Sequence, residues 1–264
     1  MSKRFPPPAR LAAPVLAGLL LPVTPAHAAD EEIQVYMDEL GARGEVGLDL
    51  HVNDVLRGTA GPDYPGGEAA LHRWRFTPEW SLGLGGGFEA GAYVPLATIT
   101  PDGVLRAGGV KGRLKWIAPH AATGPFWGAN LEIGRVGYRL DQNPWNGEFK
   151  LIGGWRDDRW ELAANLNYGF KVSGPVPAPS TLELATKVDY RVAPGVKIGI
   201  ESYNGLGELH DLGRLGASDQ ATYLTIDTML GGWDINAGIG KGYGASTDAT
   251  TVKLVIGVPL GLKF

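Results

Sequence analysis

Residues 250–264 read TTVKLVIGVPLGLKF. Counting back from the terminal Phe264, every second residue is apolar: Leu262, Leu260, Val258, Ile256, Leu254 and Val252. Lys263, Gly261, Pro259, Gly257, Val255, Lys253 and Thr251 fall between them. A period of two is the signature of a strand with one apolar face. Within sheets proline is confined mainly to edges and bulges, so Pro259, which has no N–H to donate, predicts a local bulge near the end of this strand.

The same pattern extends through the chain. Residues 159–171 set Trp160, Leu162, Leu166, Tyr168 and Phe170 against Glu161, Asn165, Asn167 and Lys171. Residues 181–192 set Leu182, Leu184, Val188 and Tyr190 against Glu183, Lys187, Asp189 and Arg191. Twelve such segments follow one another, at 45–56, 70–83, 88–99, 104–117, 126–140, 147–156, 159–172, 180–192, 195–205, 220–230, 233–243 and 250–264. Soluble sandwiches also alternate, but their strands usually run only about five or six residues. A strand of about 11 residues, tilted about 40°, rises roughly 28 Å, near the height of a bilayer's apolar band.

The connections alternate too. Gly85–Gly87, Arg156–Asp158, Pro194-Gly195 and Gly231-Gly232 are short, with a longer turn at 118–125; 57–69 and 206–219 at the other end are long. Short turns at one end and long loops at the other mark an outer-membrane barrel. Near the short-turn end lie Trp80, Trp116, Trp127, Trp155, Trp160, Trp233 and Phe264, all on apolar faces, as an aromatic girdle would. In lipid no strand edge is left unpaired, so the sheet must close. The reading is therefore an all-β, transmembrane, antiparallel up-and-down barrel of about twelve strands over 45–264, its last strand paired with its first.

The N-terminus agrees. Lys3, Arg4 and Arg10 precede an apolar run from Leu11 to Val23 and then AHA, predicting a signal peptide over 1–28 cleaved between Ala28 and Ala29. Cleavage takes the formal net charge from −4 to −7 by removing those three cations, which argues against a nucleic-acid partner. Residues 29–44 are left over as an arm, periplasmic or lumen-entering. The chain has 40 glycines, eight tryptophans and no cysteine, which excludes disulfides and thiolate metal sites.

Residues 32–53, EIQVYMDELGARGEVGLDLHVN, and 78–100, PEWSLGLGGGFEAGAYVPLATIT, resemble a group of bacterial outer-membrane barrels, some of them linked to meta-pathway phenol degradation or to transport. The resemblance implies residence in a Gram-negative outer membrane. The ending VPLGLKF resembles the C-terminal signal that such barrels present to their assembly machinery.

If apolar faces meet lipid, polar faces line the lumen. Arg73, Arg75, Lys111, Arg113 and Lys115 form a basic sector; Glu45, Asp49, Glu89, Glu132, Glu183 and Asp189 supply acids. Such charges either pair and knit the wall or bias a pore toward anions. His51, His72, His120 and His210 belong to no Ser/His/Asp grouping, and none sits at ligand spacing, so neither catalysis nor a metal or cofactor is expected. GGGFEA at 85–90 is a hairpin turn, because a strand follows it rather than a helix. Two functions remain: passive passage of small solutes, anionic or aromatic, or a structural barrel with a filled lumen whose loops meet a partner.

Overall fold

The computed structural model describes residues 32–213 and 215–264. The leader and its Ala28/Ala29 junction lie outside the described residues. Twelve long strands form one antiparallel sheet: β1 (Glu45–Arg57), β2 (Trp74–Gly85), β3 (Phe88–Ile99), β4 (Leu105–Ile117), β5 (Gly124–Val136), β6 (Trp145–Arg156), β7 (Trp160–Ser173), β8 (Thr181–Ala193), β9 (Val196–Glu208), β11 (Asp219–Leu230), β12 (Trp233–Gly244) and β13 (Thr250–Lys263). The two-residue β10 (Asp211–Leu212) folds back on the end of β9 inside the long loop.

Each long strand pairs with its sequence neighbour, and β13 pairs with β1 from Glu45↔Lys263 to Arg57↔Thr250, which closes the barrel. The Phe264 N–H donates to the Gly44 carbonyl at 2.8 Å, extending the seam by one bond. The pairing slips where β1 steps from Val46 to Leu48 while β13 steps from Leu262 to Val258. That bulge contains Pro259 and Gly261, whose φ of 63° favours glycine.

Alternation sorts the side chains. On β5, Trp127, Leu131 and Ile133 are exposed outward, while Asn130 and Glu132 are buried inward. The Gly85–Gly87 turn has φ of 80°, 64° and 84° in succession, a path only glycine takes readily. In the β6–β7 turn, Asp157 accepts the N–H groups of Arg159 and Trp160, each at 2.7 Å. Those bonds, the Trp160 one first, hold its carboxyl below the usual range.

Most segment ends move by one to three residues, and two move by four. β2 begins at Trp74 rather than at 70, because His72 takes a left-handed φ of 55° and prolongs the loop. β5 ends at Val136 rather than at 140, because Leu140 donates to Gly137 in a turn.

Candidate functional site

Inward positions fall into cross-strand rows. Register places Glu89, Lys115, Asn130, Lys150, Asn167 and Glu183 side by side on β3 to β8. A second row runs Lys187, Glu201, Tyr223, Gly240. Gly240 is small for a reason: a Cβ there would meet the Tyr223 ring at 2.4 Å. Gly91 likewise leaves room for the Arg113 side chain beside it. Inward glycines let this narrow barrel hold large polar groups.

What occupies the lumen is the chain's own N-terminal arm. Residues 32–38 run inside the barrel and 39–44 lead out to its rim, without adding a strand to the sheet. Ile33, Val35, Tyr36 and Met37 are buried in an apolar cluster with Ile117, Phe126, Ile152, Tyr203 and Tyr223 of the wall. Asn165 of β7 reads Tyr36 on both sides: the Tyr36 N–H donates to Oδ1 at 2.6 Å, and Nδ2 donates to the Tyr36 carbonyl at 2.9 Å. The Tyr36 hydroxyl lies 3.0 Å from Glu132 Oε1 and 2.5 Å from the Tyr93 hydroxyl, which donates to Glu32 at 2.9 Å. The Lys150 ammonium sits 4.1 Å from the Tyr36 ring centroid and that of Lys115 at 5.2 Å, within cation–π range.

Both ends of the arm are tethered. Lys253 donates to the Ile33 carbonyl at 3.1 Å. Toward the short-turn end, Lys115 donates to the Glu39 carbonyl at 2.9 Å, the Gly41 N–H donates to Glu89 at 2.7 Å, and Arg156 pairs with Asp38 and Glu39.

Two members of the basic sector, Arg113 and Arg73, pair with carboxylates. Arg113 pairs with Glu79 and, at 2.7 Å, with Glu89. Arg73 lies in the loop just before β2, yet its side chain is buried against Glu68 at 3.6 Å. Glu68 also pairs with Arg106 and Arg139, which folds the 58–73 loop across the long-loop end of the barrel. Arg75 donates to Asn53 at 3.3 Å. Lys111 packs over Gly134, where a Cβ would meet its Cγ at 2.1 Å.

Of the expected acids, Glu132 serves Tyr36, Asn130 and Lys150; Glu183 accepts from Asn167 at 2.9 Å; Asp189 faces Lys187 at 3.1 Å. Asp49 is half-buried opposite Glu79. Glu45 does not line the lumen. It is exposed at the short-turn rim, where its carboxylate accepts the Ala42 N–H at 2.8 Å and secures the turn into β1.

Among the aromatics, Trp127, Trp155, Trp160, Trp233 and Phe264 are exposed near the short-turn end, and Trp116 packs edge-on against Trp127 at 5.0 Å. Trp80 stands further up the wall, paired with Leu48 and Ala92. Trp74 and Trp145 are exposed at the opposite, long-loop end.

Sequence spacing carries no hint that Tyr36, Tyr93 and Asn165 meet. The fold also brings one oxygen each of Glu32 and Glu79 and a ring nitrogen of His51 within 4.8 Å of one another. Glu79 there already accepts from His51 Nε2 at 3.0 Å and from Arg113.

The chain superposes on a KdgM porin with a TM-score of 0.54 at 12% identity, covering 81% of this chain and 99% of that one. A KdgM porin in complex with disordered oligogalacturonate gives 0.53 at 10% identity, with the same coverage. The chain has the closed-barrel fold of porins. At such identities the likeness is one of fold. No family model matches the chain, and no curated protein matches its sequence.

Proposed function

We propose that this barrel carries small solutes passively across the outer membrane of a Gram-negative bacterium, and that the arm sets its conducting state. In this reading residues 1–28 are the leader, 29–44 the arm and 45–264 the barrel, delivered to the membrane by assembly machinery that reads the C-terminal strand. The aromatic side chains at its short-turn end then sit at the periplasmic interface. The observation that carries the reading is the manner in which the lumen is filled. Residues 32–44 add no strand to the sheet. They are held by side chains from β3, β4, β5, β6, β7 and β13. A segment so held can leave without breaking the ladder that closes the barrel. Wall charges paired with one another, rather than with the arm alone, keep the emptied lumen polar and intact.

Small anionic or aromatic solutes suit this lumen best. The basic sector on and beside β2 and β4 and the resemblance of residues 32–53 and 78–100 to the phenol-degradation-linked barrels support that class. The second reading, a closed structural barrel, is favoured by the same filled lumen if the arm never leaves. Planar-bilayer recording separates the two. The mature protein and a variant lacking residues 32–40 are compared, both checked for folding by heat-modifiable migration. Brief openings of the mature protein and sustained conductance of the variant are expected. A folded variant that stays silent supports the structural barrel instead.

A further inference from the structure

Arg57 and Lys241 differ from the cations of the lumen. Both are exposed, and neither side chain makes an ion pair or hydrogen bond among the described residues. Register brings them together: Arg57 of β1 and Lys241 of β12 both pair with Thr250 of β13, placing the two charges on either side of one strand. Lys241 shares the outward parity of Trp233 and Ile239, so it lies on the lipid-facing wall. Eight residues separate Trp233 from Lys241, a rise of roughly 21 Å for a strand tilted about 40°, which puts Lys241 near the outer edge of the apolar band.

Below the two cations the wall is concave. The groove has a volume of about 800 Å³, within the range of about 300–1,000 Å³ typical of ligand sites. Its floor is apolar, formed by Ile200, Leu224 and Ile239, which are 55%, 64% and 52% exposed. Its upper edge carries hydroxyls, with Thr222 Oγ1 3.2 Å from the Tyr243 hydroxyl. Two unpaired cations and hydroxyls above an apolar trough match an amphiphile with an anionic head and acyl chains.

We propose that this groove binds a phosphorylated glycolipid of the outer leaflet, with its phosphate between Arg57 and Lys241 and acyl chains along Ile200, Leu224 and Ile239. Charge complementarity selects the head, because Arg and Lys donate charge-assisted bonds to phosphate oxygens. The inference needs the membrane orientation but not the channel.

The test is native mass spectrometry of the detergent-solubilised mature barrel with bis-phosphorylated lipid A, and with the same lipid stripped of phosphate. A one-to-one adduct with the phosphorylated form is expected, weakened at least about tenfold in the doubly substituted Arg57→Gln, Lys241→Gln protein, since each lost bond to a charged group is worth about that factor. Lys263→Gln, at the opposite rim, and the charge-retaining pair Arg57→Lys, Lys241→Arg should bind like the parent, and heat-modifiable migration confirms that all are folded. Equal binding of the stripped lipid, or undiminished binding by the glutamine pair, overturns the proposal. Displacement by millimolar inorganic phosphate would make the site one for free phosphate and overturn the lipid assignment.

Discussion

Arg113 illustrates why charge inside this barrel behaves as structure. Its guanidinium joins Glu79 of β2 to Glu89 of β3 from the neighbouring β4, and Glu79 also bonds His51 of β1. Removing the cation leaves two buried carboxylates facing each other, and breaking a buried pair typically costs about 3–5 kcal/mol. Arg113→Gln should lower the urea midpoint of the barrel in liposomes by more than Lys111→Gln, because the Arg113 side chain is 6% exposed and bridges two carboxylates that are themselves buried. Equal losses in the two variants would show that pairing at Arg113 contributes nothing particular. Asn165 makes the complementary case. It holds the arm through both polar groups of the Tyr36 backbone, so Asn165→Leu removes the grip without touching the wall's ion pairs. That variant should expose residues 32–44 to protease in detergent while the barrel core stays resistant; identical digestion patterns would place the grip elsewhere.

The terminal strand is the element in which assembly and stability separate. The Phe264 main chain closes the seam on Gly44, yet the residue as a whole is 91% exposed. Phe264→Ala keeps the seam bond and removes only the ring. Folded yield in cells should fall several-fold, while refolding into detergent should be nearly unchanged. Parallel losses in both settings would assign the ring a packing role and remove the assembly-signal reading. The bulge at Pro259 and Gly261 belongs to the same element. It lets the strand reach Phe264 despite a residue that cannot donate to the ladder, and β-bulges bend a strand locally in this way.

For the whole molecule, the arm and the 58–73 loop are anchored toward opposite ends of the barrel. The arm is tethered near the short-turn end by Arg156 and Lys115, and the loop is drawn over the long-loop end by Glu68. In a salt gradient, the arm-deleted barrel should give a reversal potential shifted toward anions. Substituting Lys111 and Lys115 by glutamine, which spares the Arg113 pairs, should reduce that shift. Conductance with unmoved selectivity would mean that these lysines are wall packing only. Fractionation belongs to this scale as well: the mature protein should sediment with outer membranes, and recovery as a soluble periplasmic protein would refute the membrane reading.

The barrel was legible in the sequence because its causes are local. A period of two states which face turns outward, and glycine-rich stretches state where hairpins turn. The strand at 88–99 keeps the boundaries that those signals alone indicate, and the bulge near Pro259 follows from one missing N–H. Where a boundary moved, as at His72 and Leu140, a turn of the backbone overrode side-chain alternation that ran on past it. An arm that is periplasmic or lumen-entering was legible, but the side chains it meets inside were not. Tyr36 meets Tyr93, Glu132 and Asn165 across separations of 57, 96 and 129 residues. No local pattern encodes those distances. They follow from the stagger of twelve strands around a closed ring, and only closure decides which inward side chains share a level and whether a segment of chain fits between them.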